Sequence, residues 1–260
     1  MHAGATVAGV FAPCALIPIY NHKDTIARTV QALRAYELPV VIVDDGSDAA
    51  TRDVLDALVR DVSGIHLLRL PHNQGKGRAL TTGLLAAREA GYTHALQIDA
   101  DGQHDTADVP NFLAEARTHP QALICGRAVY DDSVPRARLY GRYVTHFFVW
   151  IETLSFAISD SMCGYRLYPL ASTCAEIARA PLPARMDFDT EMAVRLAWRG
   201  VPMRNLSTHV IYPENGLSHF RMLHDNLRIS AMHTRLLLGM LPRAPGLLWR
   251  RLRGERACVA

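Results

Sequence analysis

The chain alternates short aliphatic runs with longer stretches whose apolar residues recur every three or four positions. Ala15 to Ile19 predicts a buried strand, and Pro18, which has no N–H for a ladder, marks where it finishes. From Asp24 onward Ile26, Val30 and Leu33 fall at i, i+4 and i+7, the spacing of one helix face. Val40 to Val43 is an aliphatic run of the kind found in strands covered on both faces. Val54, Leu55 and Leu58 mark a second helix, and Ile65 to Leu70 a third strand. A helix then runs to Ala90, and Ala95 to Ile98 is the fourth strand.

The second half is less regular. Its pattern predicts a helix over Thr106 to His119, a strand over Ala122 to Cys125 that ends at Gly126-Arg127, and a long amphipathic helix over Leu139 to Ile158. A short strand at Gly164 to Tyr168, a helix at Thr190 to Trp198 stopped by Gly200, and a late strand at His209 to Tyr212 follow. Phe220 to Leu241 reads as helix, after which Pro242 and Pro245 break the chain. Residues 1–12, small and apolar without periodicity, read as a loose arm. Strand and helix in alternation with short turns predict an α/β fold: a Rossmann-like, mostly parallel sheet with helices on both faces. Residues 1–220 read as one domain and residues 221–260 as a basic, amphipathic helical extension.

Composition narrows the class. A hydrophobic content of 49% with 20% charged residues belongs to a folded globular chain. The five cysteines include no C-x-x-C pair, so neither a disulfide framework nor a zinc site is expected, and a reducing compartment fits. No charged leader followed by an apolar run suggests secretion, and no long uncharged stretch suggests a spanning helix. The net charge of +3 is uneven: residues 221–260 hold eight Arg against two acids, and the rest holds 20 basic against 23 acidic residues. Such a tail suits phosphate, and lipid head groups suit it better than nucleic acid because its Arg are mixed with Leu and Trp.

The polar clusters carry the chemistry. Tyr20-Asn21, Asp44-Asp45 and Asp99-Ala100-Asp101 all follow strands, and parallel sheets bind ligands beyond the carboxyl ends of their strands. Asp99 and Asp101, two apart, fall on one face of an extended chain. As hard oxygen ligands they suit Mg²⁺ or Mn²⁺, and the bland alternative is an acidic turn capping a helix. Asn73-Gln74-Gly75-Lys76-Gly77 opens a helix, where N–H groups favour an anion and Lys76 adds charge for a diphosphate. A solvated turn is the alternative there. Asp160 to Arg166 combines an acid, a small-residue turn and an Arg, with an Asp160–Arg166 salt bridge as the structural alternative. Asp189 and Glu191 open a helix, where acids suit the dipole without any function.

Six of these motifs stand in one order from residue 15 to residue 166: Pro18-Ile19-Tyr20-Asn21, Val43-Asp44-Asp45-Gly46-Ser47, Asn73 to Gly77, Asp99-Ala100-Asp101-Gly102-Gln103-His104, Gly126-Arg127, and Asp160 to Arg166. Together they resemble family 2 glycosyltransferases, in particular the polyprenyl-phosphate (dolichyl-phosphate type) sugar transferases. The resemblance implies a GT-A fold, a nucleotide-diphosphate-sugar donor and Mg²⁺ or Mn²⁺. It implies that Pro18, Tyr20, Asn21, Asp44 and Asp45 hold the nucleoside, and that Asp99, Asp101 and Gln103 hold metal and diphosphate. Arg127 and one of Arg138 or Arg142 would face the acceptor phosphate or the sugar, with Asp160 as general base. The chain departs from the branch at His22, where Glu is frequent. The expected reaction is inverting transfer to a lipid or lipid-linked acceptor by a cytoplasmic protein held peripherally on the inner membrane face. Packing of the aromatic and basic segments on the domain, or between copies in a homo-oligomer, is the alternative to membrane contact. A nucleotidyltransferase, or a non-catalytic module binding nucleotide-sugar or membrane, are the competing functions; nucleic acid is not an expected partner.

Overall fold

The computed structural model describes residues 10–129, 136–210 and 222–253. Seven strands form one sheet: β1 (Pro13–Ile19), β2 (Val40–Asp44), β3 (Ile65–Arg69), β4 (His94–Gln97), β5 (Leu123–Val129), β6 (Arg166–Pro169) and β7 (Met203–His209). Their order is β3-β2-β1-β4-β6-β5-β7. Only β6 runs against its neighbours, β4 and β5; the other pairings are parallel.

Alternation along β1 shows how the sheet makes two cores. Ala15, Ile17 and Ile19 join one apolar cluster, with Ile26, Val30 and Leu33 of α1 (Lys23–Arg34), Leu55 of α2 (Ala49–Asp61) and Phe112 of α4 (Val109–Thr118). Cys14 and Leu16 face the other way, toward Leu80 and Leu84 of α3 (Lys76–Glu89) and Met192 of α7 (Phe188–Trp198). Successive side chains of a strand point to opposite faces, and a β1 buried on both must be apolar throughout. Each fully buried Leu or Ile contributes about 1.5–3 kcal/mol. That second core also takes Val149 of α5 (Arg136–Thr153), Leu170 of α6 (Leu170–Arg179), and Met232 and Leu236 of α8 (Met222–Met240).

Pro18 sits in a central strand without breaking the sheet. Leu16 C=O accepts from Ile98 N–H on the β4 side, so Pro18, two residues on, also faces β4. The β4 ladder has already ended at the Leu16–Gln97 pairing, and no donor is missed.

Several boundaries differ from the sequence pattern. The late strand is Met203–His209, upstream of the expected His209 to Tyr212, of which Ile211 and Tyr212 lie outside the described residues. β7 is an edge strand paired only with β5, and its Arg204, Asn205, Ser207 and Thr208 hide it from a search for aliphatic runs. β5 continues past Gly126-Arg127 to Val129, in register with β7 throughout. α6 follows β6 directly and has no counterpart in the expected elements. Pro242 and Pro245 do not end the helical structure: a 3-10 turn at Leu241–Arg243 leads into α9 (Ala244–Leu252), with Pro245 in its first turn, where a missing N–H costs nothing. The expected loose arm lies outside the described residues, apart from residues 10–12.

Candidate active site

The loops after β2, β1 and β4 are neighbours because those strands are neighbours, so Asp44-Asp45, Tyr20-Asn21 and Asp99 to Asp101 come to one edge. Asn21 adopts the left-handed conformation (φ 57°), which Asn tolerates better than most residues. In that conformation its N–H donates to Ser47 Oγ at 3.1 Å and its Oδ1 accepts from Asp48 N–H at 2.8 Å, tying the β1 loop to the β2 loop. Tyr20, beside it, is half-buried. Asp44 is buried; its Oδ1 accepts from Ser47 N–H at 2.9 Å, and Arg69 Nε lies 3.5 Å from its Oδ2. Asp45 takes two backbone donors, Gln74 N–H at 2.7 Å and Gly75 N–H at 2.8 Å, and so fixes the 73–77 loop. Burial raises the Asp45 carboxyl above its ordinary range against the pull of those two amides. Gly75 is required: its φ is 103°, and a Cβ there would fall 2.3 Å from Ala184 O. Arg185, from the α6–α7 connection, donates to Asn73 Oδ1 at 2.7 Å and lies over the same loop.

Next to it stands the acidic turn after β4. Thr25 Oγ1 of α1 donates to Ala100 O at 2.5 Å and anchors the turn. Asp101 Oδ1 accepts from Gln103 N–H at 3.0 Å. Burial, then the charge of Asp99, raises the Asp101 carboxyl. Asp99 has the opposite balance. Burial alone would raise it, but Lys76 and His104 hold it far below the carboxylate range. Lys76 Nζ lies 2.8 Å from Asp99 Oδ1 and donates to Oδ2 at 2.9 Å; His104 Nε2 is 3.5 Å from Oδ2. Lys76 is therefore not the solvated residue of a surface turn. It is an ammonium kept charged among carboxylates, whose attraction outweighs the cost of its burial.

On the other flank, Asp160 is 2% exposed and surrounded by donors. Its Oδ1 accepts from Met162 N–H and Cys163 N–H, both at 3.0 Å, and its Oδ2 from Ala128 N–H at 3.2 Å. Arg142 Nη2 of α5 reaches both oxygens, at 2.7 and 2.5 Å. Burial would raise this carboxyl, but Arg142, then His146 and the Met162 amide, bring it below the ordinary value. The Asp160–Arg166 bridge considered from sequence does not form. Arg166, fully buried, donates to three backbone carbonyls, those of Cys163, Ser161 and Asp189. An Arg facing carbonyls rather than a carboxylate staples the 160–166 turn to α7. Arg127, exposed on β5, donates to Ser207 Oγ at 2.9 Å. Arg138 lies on α5, where its side chain falls outside the described residues.

Asp189, read from the sequence as an acid suiting a helix dipole without function, stands beside Lys76. Asp189 lies 3.2 Å from Lys76 Nζ through Oδ2, and its Oδ1 accepts from Gln97 Nε2 at 3.1 Å. A dipole-capping acid would be exposed, whereas Asp189 is 5% exposed. Among the described residues no group of three or more His, Cys, Asp or Glu is gathered as a metal centre. Asp99, Asp101 and Gln103, the residues that would hold a divalent ion, come from one turn and carry oxygen donors of the kind Mg²⁺ and Mn²⁺ take.

The sequence and the fold both have known counterparts. A family model described as glycosyl transferase family 2 matches residues 14–181. A dolichyl-phosphate beta-glucosyltransferase of Dictyostelium discoideum is 26% identical over 67% of this chain and 55% of its own length. An undecaprenyl-phosphate mannosyltransferase of Micrococcus luteus is 27% identical over 80% of this chain and 86% of its own. The chain thus spans about half of the first relative and most of the second. Among solved structures, S. aureus TarS in complex with UDP superimposes with a TM-score of 0.57 at 16% identity, over 93% of this chain and 72% of that one. Mannosyltransferase PcManGT from Pyrobaculum calidifontis, in complex with GDP-Man and Mn²⁺, gives a TM-score of 0.55 at 14% identity, over 93% and 75%. These likenesses establish the GT-A fold, and with the match over residues 14–181 this chain belongs to glycosyl transferase family 2.

Proposed function

We propose that the chain moves a sugar from a nucleotide-diphosphate donor to the phosphate of a polyprenyl lipid at a membrane surface, with inversion at the sugar carbon. The observation that carries this reading is the state of Asp160. A general base needs an available carboxylate with a pKa near the working pH. Asp160 instead has its pKa lowered and its oxygens engaged by Arg142 and three backbone amides. A hydroxyl acceptor would need that base, whereas a phosphate is already ionised. Asp160 then serves to hold Arg142, and Arg142 with Arg127 supplies positive charge for the acceptor phosphate. One acceptor oxygen bonds to the anomeric carbon as its bond to the leaving diphosphate breaks, and no proton has to be removed. The names of the dolichyl-phosphate and undecaprenyl-phosphate relatives support the same acceptor class.

The donor reading rests on the turns beside β1, β2 and β4. Asp44, Asp45, Tyr20 and Asn21 line the nucleoside side, and Lys76 offers an ammonium to the diphosphate. A divalent ion, Mg²⁺ or Mn²⁺, fits Asp99 and Asp101, with Gln103 adjoining: Asp101 is a carboxylate whose ionised form is penalised by burial and then by Asp99, and would be favoured by added positive charge. Such an ion, when bound, neutralises the leaving diphosphate. The Mn²⁺ of the P. calidifontis mannosyltransferase supports it.

The membrane reading rests on α5, α9 and their surroundings. Tyr143, Val144 and Phe147 are exposed on α5, and Phe156 lies just beyond it. Leu248, Trp249 and Leu252 are exposed on α9, and Arg251 Nη1 reaches Leu154 O. Exposed aromatics and Leu next to Arg suit the boundary of an anionic bilayer. Among the described residues no helix is long and apolar enough to cross one. The function is tested by offering UDP-, GDP- and dTDP-sugars with Mn²⁺ to polyprenyl phosphate and to the matching polyprenol in liposomes. Transfer to the phosphate alone is expected; equal transfer to the alcohol would overturn the phosphate acceptor. Flotation with anionic liposomes should drop at high salt and on truncation after Met240.

A further inference from the structure

Lys76 is the first residue of α3 and Asp189 the second of α7. These helix starts are pressed together: a Cβ on Gly77 would fall 2.3 Å from Pro183 O and 2.7 Å from Phe188 Cβ. Between them the Lys76 ammonium has two carboxylate partners, Asp99 Oδ1 at 2.8 Å and Asp189 Oδ2 at 3.2 Å. The partners differ in kind. Asp99 is on a loop, with its side chain 24% exposed, beside Asp101. The Asp189 side chain is 7% exposed and belongs to a helix. Its second oxygen is held by Gln97 Nε2 at 3.1 Å and by the Tyr168 hydroxyl at 3.5 Å. Gly164 closes a third side: a Cβ there would lie 2.8 Å from both Lys76 Nζ and Asp99 Oδ2. The ammonium is enclosed, with two seats to choose between.

We propose that Asp189 is a positioning residue of the donor site: it is the seat that Lys76 keeps when the Asp99 carboxylate is given over to a divalent cation. The ammonium then stays beside the diphosphate instead of competing for Asp99. This rests on the metal reading above. Lys76 and the metal are alternative partners of Asp99, so loss of Lys76 strengthens metal binding when no donor is present. Loss of the Asp189 charge leaves Lys76 only Asp99 and weakens metal binding. Because Asp189 acts through Lys76, its replacement has no effect on the metal once Lys76 is gone.

The experiment is a Mn²⁺ titration of the full chain without donor, with free Mn²⁺ followed by electron paramagnetic resonance. Lys76→Met is expected to lower the Mn²⁺ Kd, and Asp189→Asn to raise it, each by about fivefold or more, the lower end of couplings between two ligands. Asp189→Glu restores the wild-type value, and the double variant matches Lys76→Met. An unchanged Kd in Asp189→Asn overturns the proposal. So does an equal weakening by Asp189→Asn in the Lys76→Met background, since Asp189 would then act on the metal or the fold directly. If Lys76→Met does not fold, the Asp189 pair decides: a raised Kd in Asn restored in Glu supports the role, and equal loss in both overturns it. Wild-type protein that binds no Mn²⁺ overturns the metal reading itself, a failure seen before any variant is compared.

Discussion

Asp99 and Asp160 are both acids on loops of one site, and both carry depressed pKa values, yet they are held by different means. Asp99 is held by the side chains of Lys76 and His104. Asp160 is held by three backbone amides as well as by Arg142, with His146 Nε2 3.8 Å from its Oδ1. Side-chain partners on rotatable stems can be exchanged for a ligand at little cost to the fold. Backbone amides cannot be withdrawn without moving the turn that carries them. The first arrangement suits a carboxylate that changes partners during a catalytic cycle; the second suits one that fixes an Arg in place. The same residue type with the same direction of shift therefore serves two roles, and the donors around it distinguish them.

The comparison breaks most sharply at the exchangeable acids. Asp101→Ala removes an oxygen donor from a loop and no core contact, so the fold should survive. Turnover should fall by about a thousandfold or more, roughly 4 kcal/mol of barrier, read as kcat with saturating Mn²⁺ and donor. Activity within tenfold of wild type would remove the acidic turn from the chemistry. At the fixed acid the largest effect is on stability. Arg142→Ala leaves Asp160 buried beside its amides without its cation, which should cost about 3 kcal/mol, read by urea unfolding. Asp160→Asn keeps the shape and should cost kcat less than the hundredfold or so typical of a lost general base. A larger loss of kcat with unchanged stability would restore Asp160 as a base.

The half of the fold that was legible in sequence is the half in which burial is two-sided. β1 and β2 are apolar on both faces, so their runs of Ala, Leu, Ile and Val declare them. β7 is polar on an edge and declares nothing. The acids at strand ends were legible for a related reason: in parallel strands every carboxyl end lies on one side, so adjacency follows from order alone. What could not be read was pairing across distant segments. The sequence pointed to Arg166, six residues on, as the partner of Asp160, and only the path of α5 brings Arg142 to it instead. Asp189 had a signal that periodicity analysis passes over. It directly follows Phe188 and comes three residues before the apolar Met192-Ala193-Val194 run, on a helix buried nearly all round. An acid there cannot reach water and must have a cation, and Lys76 is one of only two lysines in the chain.

The smallest effect separates fixed from exchangeable acids without touching catalysis. Asp160 has a lower pKa folded than unfolded, because Arg142, then His146 and the Met162 amide, favour its charged form over the cost of burial. Its contribution to stability is therefore complete above the unfolded carboxylate pKa of about 4 and is lost as pH falls through the lower folded value. Each unit of depression amounts to about 1.4 kcal/mol. Urea unfolding of the wild type between pH 6 and pH 3 should show stability falling at the acid end. Asp160→Asn, less stable at pH 6, should fall less steeply, the two curves converging by on the order of 1 kcal/mol toward pH 3. Mn²⁺ should leave that difference unaltered, because Asp160 has no part in the exchange at Asp99. Parallel curves would show that Asp160 is not stabilised in its charged form, and Arg142 would then need another reason to be where it is.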